Sequence, residues 1–382
     1  MNAGAADKAG KVDKRSWVAK AFNTSVLQKS RLAWVDYLKG IAILLVVYRH
    51  VLIGIQLSGI TIPETLVNAN MVFYSFRMPL FFILSGVFIG GSLARRTTGQ
   101  LIFTKFENLL YPYLVWSFIQ VTLQIALRGS TNADRGFIDY TYILYQPRNM
   151  DQLWYLPALF NTTVIYLLIR TKLKPPGWAQ LLFGLALFFT AHYVDRISML
   201  SDWMEFYFFF ALGDYISAIF FKDSTQRLLK NPWSLAAITP LFILTQIFYL
   251  SQDQNFYLVN NLGLLEFMAI ALIGCLCMCI LAFRLQEWNA LRFLRVLGYH
   301  SLYIYVMHVV VASAARLLLK NMLHIHNPVV LLAAGIALGV TVPVICYNLF
   351  IFEKPGWFLF SLKKRKSRPA GTATAPSASY AS

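Results

Sequence analysis

The sequence predicts an all-α membrane protein, a bundle of about ten transmembrane helices with both termini in the cytoplasm. Three observations lead to this fold class. Of the 382 residues, 58% are hydrophobic and only 13% are charged, whereas a soluble domain carries about 25% charged residues. The apolar residues form long runs, and the basic residues gather in alternate connections between those runs. Together these features favour one bundle in lipid over two soluble domains.

Ten apolar segments are long enough to cross the hydrocarbon core of a membrane, which takes about 17–25 residues of helix. Only helices are expected there, because lipid offers the backbone of an open strand or loop no hydrogen-bond partner. The connections are short, apart from residues 129–151. The predicted segments are 37–58, 71–93, 110–128, 152–169, 177–194, 203–221, 232–250, 260–281, 296–319 and 328–350.

The basic residues predict the orientation of the bundle and its division into regions. Most of the 34 Lys and Arg residues lie near the chain ends and in every second connection. Cytoplasmic loops carry an excess of such residues, which puts both termini in the cytoplasm. We therefore expect a polar, basic N-terminal tail (1–30), a ten-helix membrane domain (31–357) and a C-terminal tail that is first basic and then disordered (358–382).

Charge and cysteine content exclude two other classes of site. A formal net charge of +17 in a soluble protein suggests nucleic-acid binding, but here the charge is explained by topology, and no nucleic acid is expected. Cys275, Cys277 and Cys279 form a C-x-C-x-C string that resembles a metal site. On a helix, however, Cys277 points away from the other two thiols. We interpret them as packing residues and predict no metal.

The first segment carries the strongest candidates for chemistry. An ionisable side chain within a membrane is costly unless it is paired or solvated, so it is a functional candidate. Lys39 and His50 are separated by about 20° around the helix and about 16 Å along it, and Asp36 lies within about 40° of their stripe. Imidazole suits proton transfer near neutral pH. Snorkelling of Asp36 and Lys39 to the interface, with His50 packed on a carbonyl, explains the pattern equally well.

Two further segments carry polar side chains in apolar surroundings. Arg77 stands at the outer end of the second segment, and Ser85 interrupts the middle of that segment. Tyr305 and His308 in the ninth segment fall on one side of a helix. A structural role within the bundle is the alternative for each, since a lone histidine in a membrane segment is commonly structural.

Five sequence blocks, taken in order, resemble the membrane-bound acyltransferase-3 family of polytopic O-acyltransferases. They are a basic residue followed after ten residues by histidine (Lys39 and His50), the MPLFF-x-x-SG block that Arg77 precedes, LLYPYLVW at 109–116, LW-x-LPALF at 153–160 and S-L-x-I-Y-x-x-H at 301–308. Glu353-Lys354-Pro355 is similar to the closing motif of the family. The resemblance covers residues 31–357, and family members also have ten spans.

The resemblance implies a cytoplasmic acyl-CoA donor, most commonly acetyl-CoA, and an acceptor hydroxyl on a polysaccharide or lipid-linked glycan. His50 is then the expected general base, Asp36 orients Lys39, and Arg77 and Ser85 stabilise the oxyanion. Trp154, Tyr305 and His308 are expected on the acceptor side, although aromatic residues at a membrane interface explain Trp154 equally well. The expected donor-phosphate ligands are Lys39, Arg95, Arg96, Lys105, Arg292 and Arg295.

Two departures from the family pattern affect the donor site. Lys39 stands where arginine is commoner, and it lacks the bidentate fork of a guanidinium. Lys105 and Asn108 stand in place of the usual pair of arginines three residues apart. For Arg95, Arg96, Arg292 and Arg295, a purely topological role is at least as well supported.

Two other classes of protein remain open from the sequence. A transporter or flippase of a glycan intermediate also has many spans and buried charges, but no internal repeat is evident here. A scaffold subunit needs no polar stripe along one helix face. Through the resemblance we expect the cytoplasmic membrane of a bacterium, and polysaccharide-biosynthesis proteins as partners.

Overall fold

The computed structural model describes residues 17–28, 32–128, 134–252, 263–352 and 354–363. Within these ranges the regular elements are helices, and there is no strand. Most of the two predicted tails lies outside the described residues, as does Glu353 of the closing motif. The described part of the chain is therefore the helical bundle, which confirms the predicted all-α class.

The helices that build the bundle follow one another with short connections. In chain order they are α1 (Ala33–Leu57), α2 (Glu64–Leu93), α3 (Thr98–Ala126), α4 (Pro147–Leu173), α5 (Gly177–Val194), α6 (Ser198–Phe220), α7 (Asp223–Lys230), α8 (Pro232–Ser251), α9 (Leu264–Trp288), α10 (Phe293–Tyr299), α11 (Ser301–Met322) and α12 (Pro328–Ile351).

Across the described ranges, nine helices are long and apolar enough to cross a membrane, and α6 with α7 raises the number to ten if that bent pair forms one span. The axis bends by 102° between α6 and α7. The prediction of about ten spans is therefore confirmed. Helix α3 begins well before its apolar run, because Thr97 and Gln100 form a capping box that starts the helix among polar residues.

Helix α1 lies inside the bundle, in contact with α9, α10, α11 and α12. Glycine residues allow α10 to pack closely against α1. A Cβ atom at Gly40 would collide with the carbonyl oxygen of Leu294, and one at Gly298 would collide with that of Asp36. The backbones of α1 and α10 thus touch directly. This contact fixes the cytoplasmic half of α1, which carries Asp36 and Lys39.

Helices α2 and α6 meet in the same way. A Cβ atom at Gly86 would collide with the carbonyl oxygen of Phe210, and one at Gly213 would collide with that of Ile83. Small residues permit such close backbone packing in membranes, where van der Waals contact drives helix association.

The Gly86→Ala substitution should lower the thermal stability of the protein in detergent, because the added methyl group forces α2 and α6 apart and overpacking costs about 1–3 kcal/mol. Gly99→Ala is the matched control. Apart from its chain neighbours and the backbone of its own helix, no described atom lies within 4 Å of the Cβ position at Gly99, so this variant should unfold at or above the wild-type temperature. Equal unfolding temperatures for both variants would contradict the direct α2–α6 contact.

Candidate active site

A cavity of about 380 Å³ contains the candidate general base His50. Its walls come from six helices: α1, α2, α4, α6, α9 and α11. His50 lies about 26 Å along α1 from Ala33 at 1.5 Å per residue. With the N-terminal end of α1 in the cytoplasm, this cavity belongs to the outer half of the bundle. Of the side chains singled out from the sequence, it brings together His50, Arg77, Trp154 and Tyr305.

His308 lies directly behind His50. The centroids of the two imidazole rings are 5.3 Å apart. His308 Nδ1 lies 2.9 Å from the carbonyl oxygen of Ile304 and 2.8 Å from that of Tyr305. Carbonyl oxygens only accept hydrogen bonds, so Nδ1 carries the proton and donates it. The lone pair of neutral His308 is therefore on Nε2, which is buried and lacks a hydrogen-bond partner among the described residues.

Arg77 lines the same cavity and is held in place by groups of α1 and α2. Its side chain is only 2% exposed. Nη1 donates hydrogen bonds to the carbonyl oxygen of Leu45 at 2.9 Å and to Asn70 Oδ1 at 3.2 Å. Within the described part of the chain, the buried Nη2 has no partner. An orphaned guanidinium nitrogen beside a polar cavity is suited to an oxygen that carries negative charge.

Arg148 organises the acidic side of the cavity. Its guanidinium forms ion pairs with Asp202 and, at 2.7 Å, with Glu205. It also lies over the ring of Trp154, 4.8 Å from the ring centroid. These contacts join α4 to α6 and fix the orientation of Trp154. Three ionisable groups thus stabilise the part of the cavity that α4 and α6 form.

Asp151 enters the cavity from a strained backbone position. Its φ angle is +51° inside the kinked start of α4, a conformation that is unusual for a residue with a Cβ atom. Gln120 and Gln124 donate to Asp151 Oδ2 at 2.8 and 3.1 Å. Such strain persists only where the surroundings enforce it, and it is frequent at functional sites.

A second cavity, of about 390 Å³, adjoins the first. Tyr74, Arg148, Glu205 and Phe267 line both cavities. The second cavity extends to His192, which lies in the last turn of α5. The two cavities together extend from His192 to His50 and are called the outer vestibule, after the predicted orientation of the bundle.

The cytoplasmic candidates lie apart from His50. Asp36 is buried near the start of α1, about 21 Å along the helix from His50. Lys39 is close enough to Lys105 for the two positive charges to interact. Arg295 is buried and donates to the carbonyl oxygen of Leu27 at 3.5 Å. The remaining candidate cations, which lie exposed at the helix ends, are Arg95, Arg96 and Arg292.

Ser85 does not join the cavity. It lies about 12 Å along α2 from Arg77, on the cytoplasmic side of it, and it is not among the residues that line the space around His50. Arg77 and Ser85 therefore do not face one reacting group in this structure.

Sequence reasoning missed several cavity residues: Tyr74, Arg148, Asp151 and Glu205. The rule that ionisable residues in a membrane segment are functional candidates also selects Glu205 in the sixth segment, whereas Asp202 lies one residue before that segment. This rule does not select Asp151, because that residue lies at the start of a helix. Its importance follows from backbone geometry rather than from residue type.

Comparison with known protein families gives one result. A family model described as an acyltransferase domain matches residues 32–348. Searches of curated proteins and of solved structures return no match. The matched region contains every residue that lines the cavity around His50.

The Arg148→Met substitution should lower the free energy of unfolding by about 3 kcal/mol, because it leaves the carboxylate of Asp202 buried without its counter-charge. Unfolding in mixed detergent micelles measures this loss. Arg128→Met is the matched control, since both side chains of the Arg128–Asp134 pair are exposed. An exposed ion pair contributes at most about 1 kcal/mol. A loss for Arg148→Met no larger than that of the control would be contrary to a supporting role for this ion pair.

Proposed function

The chain belongs to the acyltransferase-3 family, and from this premise we propose that it transfers an acyl group from cytoplasmic acyl-CoA to a hydroxyl group of a glycan. The transferred group is acetyl, as the family resemblance implies, and the acceptor is a polysaccharide or a lipid-linked sugar. The observation that carries the proposal is the position of His50. The His50 side chain lines the outer vestibule and lies on the same face of α1 as the cytoplasmic Lys39.

The donor binds from the cytoplasm. Its phosphates interact with Lys39 and Lys105, whose positive charges lie close together and are stabilised by an anion between them. The buried Arg295 and the exposed Arg95, Arg96 and Arg292 extend this basic region. Asp36 orients Lys39 from the preceding turn. The thin pantetheine arm then extends along α1 and brings the thioester carbonyl to His50.

His50 acts as the general base. The acceptor oxygen attacks the thioester carbonyl carbon while the imidazole of His50 takes the hydroxyl proton. Arg77 Nη2, which lacks a protein partner among the described residues, stabilises the negative oxygen of the tetrahedral intermediate. The C–S bond then breaks, the carbonyl re-forms, and the CoA sulfur leaves with the proton from His50.

His308 positions the base. Because Nδ1 of His308 donates to two backbone carbonyls, its Nε2 is available to accept the N–H of the His50 ring. That hydrogen bond selects one tautomer of His50 and directs its other nitrogen towards the cavity. His308 is fully buried and does not line the cavity, which favours this positioning role over acceptor binding.

The acceptor enters through the outer vestibule. Trp154 and Tyr305 offer aromatic faces for sugar rings. Asp151 and Glu205 offer carboxylate oxygens to sugar hydroxyls, with Asp151 fixed by Gln120 and Gln124. This arrangement suits an acceptor at the outer face of a bacterial cytoplasmic membrane, where polysaccharide-biosynthesis proteins supply the glycan.

The His50→Ala variant in nanodiscs should bind labelled acetyl-CoA like the wild type but lose turnover by about 10²–10⁴-fold, the usual contribution of a general base. Turnover is measured as consumption of donor with and without a panel of lipid-linked sugars. His326→Ala, at an exposed position between α11 and α12, is the control and should keep full turnover. If wild type neither binds nor consumes acyl-CoA, the enzyme proposal fails and transport of the glycan becomes the function to test.

The His308→Leu variant should lower kcat by about 10²-fold, because a misplaced base is poorly aligned with the hydroxyl, while KM for the donor stays unchanged. His308→Gln keeps a hydrogen-bond acceptor and should recover part of the rate. Steady-state kinetics over a range of pH distinguishes positioning from folding. Equal losses in both variants, with donor binding intact, would show that the acceptor atom of His308 has no role.

A further inference from the structure

A separate apolar chamber of about 280 Å³ lies in the cytoplasmic half of the bundle. Its walls come from α1, α2, α6, α7 and α9. The lining is apolar apart from Thr225 and the thiols of Cys275 and Cys279. An apolar cavity of about 150 Å³ already stays dry and takes up a molecule as large as benzene. This chamber is therefore suited to hydrocarbon rather than to water.

The chamber does not lie on the donor route described above. Trp34 and Leu38 of α1 line it, whereas Lys39 lies about 100° and His50 about 120° around the helix from Leu38. The pantetheine arm of CoA also contains amides. Amide groups buried without hydrogen-bond partners cost about 1–3 kcal/mol each in proteins. An apolar lining excludes this arm on chemical grounds as well.

The chamber opens sideways to the lipid. Two of its lining residues, Ile219 of α6 and Leu276 of α9, are 55% and 45% exposed on the outside of the bundle. In a membrane this outside surface contacts lipid acyl chains, because the bilayer core contains no water. A chain from the surrounding leaflet can thus enter between α6 and α9 without crossing the polar surface.

The cytoplasmic end of the chamber is basic. Helix α7 turns away from α6 by 102° and directs Thr225 and Leu229 into the chamber. Arg227 of α7 and Lys222, which immediately precedes α7, are exposed cations. Across from α7, Arg284 of α9 donates a hydrogen bond to the carbonyl oxygen of Lys230. Basic side chains at this level attract anionic lipid headgroups.

We propose that this chamber binds one hydrocarbon chain of an anionic phospholipid from the cytoplasmic leaflet, with its headgroup beside Lys222, Arg227 and Arg284. The chain lies between α6 and α9 and fills the space beside α1. The lipid takes no part in acyl transfer at His50, because the lipid and the reacting groups occupy different faces of α1. The lipid stabilises the packing of α1, the helix that carries both Lys39 and His50.

The test uses nanodiscs that contain equal parts of phosphatidylcholine and phosphatidylglycerol, the latter with a photoreactive diazirine in one acyl chain. Crosslinked peptides are identified by mass spectrometry. In wild type the label should concentrate on α6 and α9 at the chamber. Ile216→Trp fills the chamber and should reduce this label at least about tenfold, a change of 1.4 kcal/mol in binding. Leu272→Phe does the same with a smaller side chain if the first variant misfolds.

Ile243→Trp is the matched control, since Ile243 faces outward from α8 and is 49% exposed. It should leave the labelling unchanged. Headgroup preference is measured by comparing the labelling from diazirine-phosphatidylglycerol with that from diazirine-phosphatidylcholine. A double Lys222→Gln, Arg227→Gln variant should lose the preference for phosphatidylglycerol in this comparison. Label spread evenly over all outward-facing helices, or equal labelling in wild type and both filled variants, would overturn the proposed chain site. An unchanged headgroup preference in the double variant would overturn the headgroup contact.

Discussion

The organisation of this protein depends on one constraint, that hydrocarbon cannot hydrogen-bond a polar group. Every charge at membrane depth must find its partners within the bundle or face a polar cavity. The guanidinium of Arg77 meets this requirement through Leu45 and Asn70, and the carboxylate of Asp202 meets it through Arg148. Two of the buried polar atoms that lack a described partner, Arg77 Nη2 and His308 Nε2, belong to side chains beside the cavity of His50. They are the groups that the proposed chemistry uses.

The same constraint divides the interior of the bundle into a polar cavity and an apolar cavity. The outer vestibule is lined by charged and aromatic side chains, whereas the inner chamber is almost wholly apolar. Helix α1 connects them, because its residues line both spaces and its cytoplasmic end carries Lys39. Direct backbone contact through Gly40 and Gly298 fixes that end of the helix. A rigid α1 keeps a constant distance between the cationic region and His50, as the proposed donor route requires.

Much of this architecture could be predicted from the sequence, because hydrophobic length and the distribution of basic residues are local signals. The all-α class and the number of spans were predicted in this way, the family was predicted from the resemblance of five sequence blocks, and Lys39 and His50 were selected by helical periodicity. Contacts between distant segments were not predictable. The proximity of His50 to His308 and the joining of Arg148 to Asp202 depend on how helices pack. The positive φ of Asp151 leaves no signature in residue type. Ser85 was grouped with Arg77 because both belong to one sequence block, but about two helical turns separate them.

The most direct test of the central claim is a cryo-electron microscopy structure of the protein in nanodiscs with a non-hydrolysable thioether analogue of acetyl-CoA. The claim is that one donor molecule reaches from the cytoplasmic cations to His50. We expect the donor phosphates beside Lys39 and Lys105, and the acyl end within about 3–3.5 Å of the His50 imidazole, the distance of a reactive conformer. A nucleotide bound elsewhere, or an acyl end that stops on the cytoplasmic side of the His50 cavity, would contradict the account.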